Sequence, residues 1–167
     1  MTEGHQDQQG NEVMTAFTVE NEVFATYMIA SALMILKLMG QGWVTVYWMM
    51  RHDAGLLNPE DLKAGPANRN PRPEQLDPNP VVERSRRMQR NDLENIPAFL
   101  AAGLLFVAAG PSPMLANILM YGFVIARLAH TLAYATRQRH EVRATFYSVG
   151  SIMVMIMAVY VLVVAVI

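Results

Sequence analysis

The chain has 167 residues, of which 53% are hydrophobic and only 16% charged, against about 25% charged in a soluble domain. A net charge of −1 lacks the basic excess that phosphate backbones demand, so nucleic acid is not an expected partner. The absence of cysteine excludes disulfides, thiolate catalysis by the protein, zinc–thiolate sites and iron–sulfur clusters, and no metal is expected.

Four apolar segments predict an all-α integral membrane protein, a bundle of four transmembrane helices. The first covers 23–50, interrupted by Lys37 and a few small polar residues. At ~1.5 Å per residue it exceeds a ~30 Å hydrocarbon core. Residues 1–22 before it carry no Lys or Arg. A secretory signal needs a basic leading region, so the first run is expected to be a retained helix preceded by a lumenal segment. Residues 51–81 are rich in Pro, Asn, Gly and charge and read as an exposed cytosolic loop.

The second helix is expected over 82–109. Its purely apolar part, Ile96 to Ala109, falls short of the ~20 residues that a span needs. Upstream, Val81 to Asn95 are mostly good helix formers without Gly or Pro, and Pro80 suits a helix start. The helix therefore carries a polar half partly into the membrane, and Pro97 predicts a kink. Beyond the turn Gly110-Pro111-Ser112-Pro113, a third helix is expected over 114–136 and a fourth over 143–167.

Of the 13 Lys and Arg, eleven lie in 51–90 or 137–143, and only Lys37 and Arg127 fall inside apolar segments. The two loops holding them share one side of a four-helix protein, and the positive-inside rule places that side in the cytosol and both termini in the lumen.

Polar residues within the helices recur at helical spacing. Arg84, Arg87, Asn91 and Glu94 share one face of the second helix, with Arg90 beside them. Arg127, His130, Thr131 and Tyr134 share a face of the third, and Arg143 and Tyr147 stand one turn apart on the fourth. Some of this serves the membrane alone: Arg86, Arg137 and Arg139 suit snorkelling to headgroups. Arg127 with Glu94 suits an ion pair between helices, and Lys37 a buried carboxylate. The remainder suits an anion site, since arginine binds carboxylates bidentately and Glu94 suits a ligand ammonium. Glutathione has that charge pattern, as do other amphoteric metabolites.

The run Val82-Glu83-Arg84-Ser85-Arg86-Arg87-Met88-Gln89-Arg90-Asn91-Asp92-Leu93-Glu94 resembles the V-E-R-x-x-R-x-x-x-N-D-x-E signature of the MAPEG family, membrane-associated proteins of eicosanoid and glutathione metabolism. Asn58-Pro59-Glu60-Asp61 resembles its N-P-E-D, Ala126 to Tyr134 its G/A-R-x-x-H-T-x-A-Y, and Gly110 to Pro113 its G-P-x-P turn. The resemblance covers about 35–150, with the motifs in order.

That resemblance implies a homotrimer of four-helix protomers in the endoplasmic reticulum membrane, the outer mitochondrial membrane being the other setting. It implies glutathione sites between neighbouring subunits at the cytosolic face. The family's binding residues carry over to Arg84, Arg87, Arg90, Asn91, Glu94, His130, Tyr134, Arg143 and Tyr147, and to Arg51 with a one-residue shift. Arg143 would be the catalytic residue that stabilises the glutathione thiolate, and Asp61 the family's loop aspartate. The implied activity is a glutathione transferase and peroxidase acting on hydrophobic electrophiles or lipid hydroperoxides from the bilayer. The alternative is a prostaglandin E synthase-type isomerase, against which stands Ala144 where the family's isomerase has serine. A scaffold would not need these arginines, and the polar stripes form no continuous conduction path.

Overall fold

The computed structural model describes residues 16–167, and its regular elements there are all helical. Four long helices follow in chain order: α1 (Glu22–His52), α2 (Pro80–Ala108), α3 (Pro113–Ala135) and α4 (His140–Val166). Two short 3₁₀ turns, Pro59–Leu62 and Pro73–Leu76, lie between α1 and α2. Of the N-terminal segment expected over 1–22, residues 1–15 lie outside the described part.

The helix starts follow from local chemistry. The Asn21 side chain accepts from the Val23 and Phe24 amides, 2.9 and 3.2 Å away, at the head of α1. Asn79 does the same for Val81 and Val82, at 2.9 and 3.3 Å, so α2 opens at Pro80, two residues ahead of the expected start. Ser112 accepts from the Leu115 amide before Pro113 opens α3. Each cap satisfies an amide that the helix itself leaves unbonded, and proline in first position loses no bond.

Three helices, α1, α3 and α4, are long and apolar enough to cross a membrane. α2 is as long, but its first half is the charged run from Glu83 to Glu94. It continues through Pro97, which has no amide hydrogen to return to the preceding turn.

The chain forms two compact units: residues up to Leu36 with Glu94–Ile167, and Lys37–Leu93. In the first, α3 packs along α4. Its core holds Phe99 stacked on Phe123, with ring centroids 4.2 Å apart, and Phe106 edge-on to Tyr160 at 5.0 Å. The Tyr27 hydroxyl donates to the Leu100 carbonyl at 2.8 Å, and that ring lies so close to Gly103 that a Cβ there would sit 2.8 Å from it. Along α4 only Gly150 and Met157 are buried, leaving Ile152, Met155, Val159, Leu162 and Val163 facing outward. Lipid or another copy accommodates such a face, whereas water does not.

In the second unit, polar residues at i, i+4 and i+8 of α1 meet those of α2. Lys37 Nζ lies 2.5 Å from the Asp92 carboxylate, with side chains 9% and 1% exposed. Gln41 donates to the Ser85 hydroxyl at 2.9 Å, and the Thr45 hydroxyl lies 2.8 Å from the same oxygen. Lys37 thus has the carboxylate partner that its position demanded. A charge in a low-dielectric setting is tolerated when it is paired and hydrogen-bonded.

The 51–81 loop is exposed over most of its length but held by its own hydrogen bonds. The chain turns at Asp53 and Gly55, both at positive φ (48° and 80°). Gln75, 3% exposed, then receives hydrogen bonds from Asn68 at 2.7 Å and from the Arg72 amide at 3.1 Å. It donates to Asp53 at 2.5 Å, and Arg72 pairs with the same carboxylate. Arg86 donates to Glu83 at 2.5 Å and to the Gly55 carbonyl. Its guanidinium therefore clamps the loop to α2, a more specific role than snorkelling.

Candidate functional site

The first unit brings five of the expected residues into one cluster. The Tyr147 hydroxyl on α4 donates to Glu94 on α2 at 3.3 Å. The Tyr147 ring lies 6.2 Å from His130 on α3, and His130 lies 5.0 Å from Tyr134 one turn later. The Arg143 guanidinium sits over the Tyr134 ring, 4.6 Å from its centroid. Three helices thus contribute to a single chain of contacts running Glu94, Tyr147, His130, Tyr134, Arg143.

Helical register explains the grouping. His130 and Tyr134 are one turn apart on α3, as are Arg143 and Tyr147 on α4, so each pair projects from one face. α3 closes at Thr136 with Arg137 at φ 57°, and the Gln138 amide returns to the Ala133 carbonyl at 2.9 Å. This tight reversal lets α4 restart within four residues, at His140.

The cluster combines unlike chemistries. His130 and Tyr134 are 2% and 8% exposed, whereas Glu94 lies open at the surface. The Arg143 Nε is buried without a hydrogen-bond partner among the described residues. A cation held against an aromatic face, with an unsatisfied donor, suits an anion brought by a ligand. Glu94 at the opposite end suits a cation. Phenol and imidazole groups, able to donate hydrogen bonds, lie between these two poles.

The other expected residues lie in the unit Lys37–Leu93. Arg84 is half-buried, while Arg87 and Arg90 are exposed along α2. The Asn91 side chain donates to the Arg87 carbonyl at 2.6 Å. Arg51 is exposed in the last turn of α1. Asp61, in the first 3₁₀ turn, lines a cavity of about 510 Å³. Val46, Met49, Met50 and Leu56 give this cavity an apolar floor, and Asp53, Lys63, Asn68 and Gln75 contribute polar groups. Sequence reasoning missed the cavity, because most of its lining comes from the loop after α1, which has no periodicity. It also assigned nothing to Asn95, 4% exposed, whose side-chain carbonyl accepts from the Ser151 hydroxyl at 2.7 Å. The only signal was Ser151 itself, the last polar residue of the helix before Tyr160. Among the described residues no group of His, Cys, Asp or Glu could hold a metal ion.

The sequence profile of the MAPEG family matches residues 26–163. The chain is 35% identical to microsomal glutathione S-transferase 1 of Homo sapiens over 132 residues, covering 79% of this chain and 84% of that protein. It is 29% identical to prostaglandin E synthase of Homo sapiens over 147 residues, covering 88% and 93% respectively. Microsomal glutathione S-transferase 1 of Bos taurus is 33% identical over 132 residues, 79% of this chain and 84% of its own length.

Proposed function

Because the chain belongs to the MAPEG family, we propose that it is a membrane glutathione transferase that binds glutathione as the thiolate and conjugates it to hydrophobic electrophiles. The observation that carries this reading is Arg143, held over Tyr134 with its Nε buried and unbonded. A free thiol with pKa near ~8.5 is mostly protonated at neutral pH. A guanidinium against the sulfur favours the anion, and each unit by which the pKa falls requires about 1.4 kcal/mol. The thiolate then attacks an electrophilic carbon, forming the S–C bond as the leaving group departs. With two glutathiones the same nucleophile reduces a lipid hydroperoxide to the alcohol and water, leaving the disulfide.

The remaining roles follow the family pattern. Glu94, His130, Tyr134 and Tyr147 contact glutathione, as do Arg84, Arg87, Arg90 and Asn91, with Arg51 as a further contact. The assembly is a homotrimer in the endoplasmic reticulum membrane, with its glutathione sites between subunits and facing the cytosol. The outward apolar face of α4 and the exposure of Arg87, Arg90 and Glu94 support a site completed by a neighbouring copy. The basic loops support the orientation. α2 serves as the fourth span, and the Lys37–Asp92 pair with the Gln41, Thr45 and Ser85 hydrogen bonds supports burial of its polar half.

A second reading, a glutathione-dependent prostaglandin E synthase-type isomerase, is favoured by Asp61, which lines the 510 Å³ cavity. Ala144 beside Arg143 favours conjugation. Equilibrium dialysis of glutathione with the detergent-purified protein, read with the ultraviolet difference band of the thiolate, tests the leading reading. Binding with a thiolate band that Arg143→Ala lacks supports it. Absence of binding by the natural chain removes both enzymatic readings, and turnover of an endoperoxide in preference to electrophiles selects the second.

A further inference from the structure

We propose that the Ser151–Asn95 hydrogen bond is a positioning device that sets the rotation of α4 and thereby aims Arg143 and Tyr147 at the ligand; this rests on reading their cluster as the glutathione site. Arg143, Tyr147 and Ser151 stand at i, i+4 and i+8 of α4 and so share one stripe. The Ser151 hydroxyl donates to Asn95 at 2.7 Å and lies 3.1 Å from the Tyr147 carbonyl one turn earlier. Asn95 directly follows Glu94, the acceptor of the Tyr147 hydroxyl. The pair thus lies one turn deeper than the contact it would hold in register.

Apart from its packing along α3 and the Tyr160–Phe106 contact, few side chains hold α4 in one rotation. Only Gly150 and Met157 are buried along its 27 residues. Between helices in lipid there is no hydrophobic driving force, so rotation is set by packing together with directional hydrogen bonds. The Tyr147–Glu94 bond, at 3.3 Å and open to solvent, is the weaker of the two. A rotation of about 20°, with side-chain tips roughly 5 Å from the helix axis, moves a tip by nearly 2 Å and breaks such a bond. The Asn95–Ser151 bond is short and partly shielded, and Asn95 is 4% exposed.

The test uses the full-length protein in detergent, with Ser151→Ala, which removes the donor, and Ser151→Thr, which restores it. Two quantities are read: hydrogen exchange of the amides from Arg143 to Gly150 without ligand, and glutathione affinity with thiolate absorbance per bound molecule. Loss of one such bond is expected to weaken glutathione binding about 3- to 10-fold. Exchange in the first turns of α4 should quicken and the thiolate absorbance per bound molecule should fall. Ser151→Thr should return all three toward the natural values. Unchanged exchange and unchanged thiolate absorbance in a folded Ser151→Ala protein overturn the proposal, as does equal impairment of Ser151→Thr. If the natural protein binds no glutathione, the functional reading falls while exchange still decides: quickened in Ser151→Ala and restored in Ser151→Thr supports positioning, and no change overturns it.

Discussion

The Lys37 ammonium and the Asp92 carboxylate, 55 residues apart in sequence, meet at 2.5 Å with both side chains nearly closed to solvent. This contact, with the Gln41 and Thr45 bonds to Ser85, joins α1 to the polar half of α2. Neither charge is tolerable there alone, so the pair is a condition for that packing more than a source of stability.

Lys37→Met should therefore destabilise the protein by about 3–5 kcal/mol, because it removes the cation 2.5 Å from a carboxylate that is 1% exposed. The double variant Lys37→Met with Asp92→Leu should recover much of that loss. Thermal unfolding in detergent checks both. A double variant no more stable than the single would place the effect elsewhere than in the Lys37–Asp92 pair.

Arg143→Lys separates charge from geometry. Lysine keeps a cation but lacks the planar fork that stacks on Tyr134. Glutathione should still bind, while a rise of about one unit in the bound thiol's pKa cuts the thiolate fraction by up to ~10-fold at neutral pH. A pH titration of the thiolate band in the natural and variant proteins measures the shift directly, and identical curves would remove Arg143 from that role.

Two glycines predict opposite tolerance. At Gly103 a Cβ would meet the Tyr27 ring at 2.8 Å, and that ring is anchored by its hydroxyl to the Leu100 carbonyl. Gly103→Ala should cost about 1–3 kcal/mol through overpacking. At Gly122 the Cβ would meet the Met153 methyl at 2.6 Å, the free end of a flexible chain. There the alanine's helix preference, worth about 1 kcal/mol, should offset the small adjustment. Melting temperatures of the two variants in the same detergent provide the comparison.

Arg86→Ala tests the loop clamp. The side chain joins Glu83 and the Gly55 carbonyl, so its removal should open the 56–79 segment to proteases. Limited proteolysis should cut there several times faster, with little change in global melting. Unchanged cleavage would mean that the bonds between Gln75, Asn68, Arg72 and Asp53 hold the loop unaided.

The helices themselves were legible from the amino-acid sequence. Long apolar runs, Asn or Ser caps and prolines in first position are local signals, and each acts over no more than a few turns. The same periodicity placed His130 with Tyr134, and Arg143 with Tyr147, on common faces, because helix geometry alone dictates that. The motifs supplied the family. Which faces meet was a different matter. Arg143 over Tyr134, Tyr147 on Glu94, and Ser151 on Asn95 depend on how α2, α3 and α4 are rotated about their axes. No local rule determines that rotation in a helix that is apolar on nearly every side. The 51–81 loop was opaque for a related reason: without periodicity, nothing local marks Gln75 as its buried centre, and only contacts with Asp53, Asn68 and Arg72 make burial of that amide favourable. Sequence determined the elements and their polar stripes; tertiary structure decided the partners, since a buried polar group is tolerated only where packing supplies its complement.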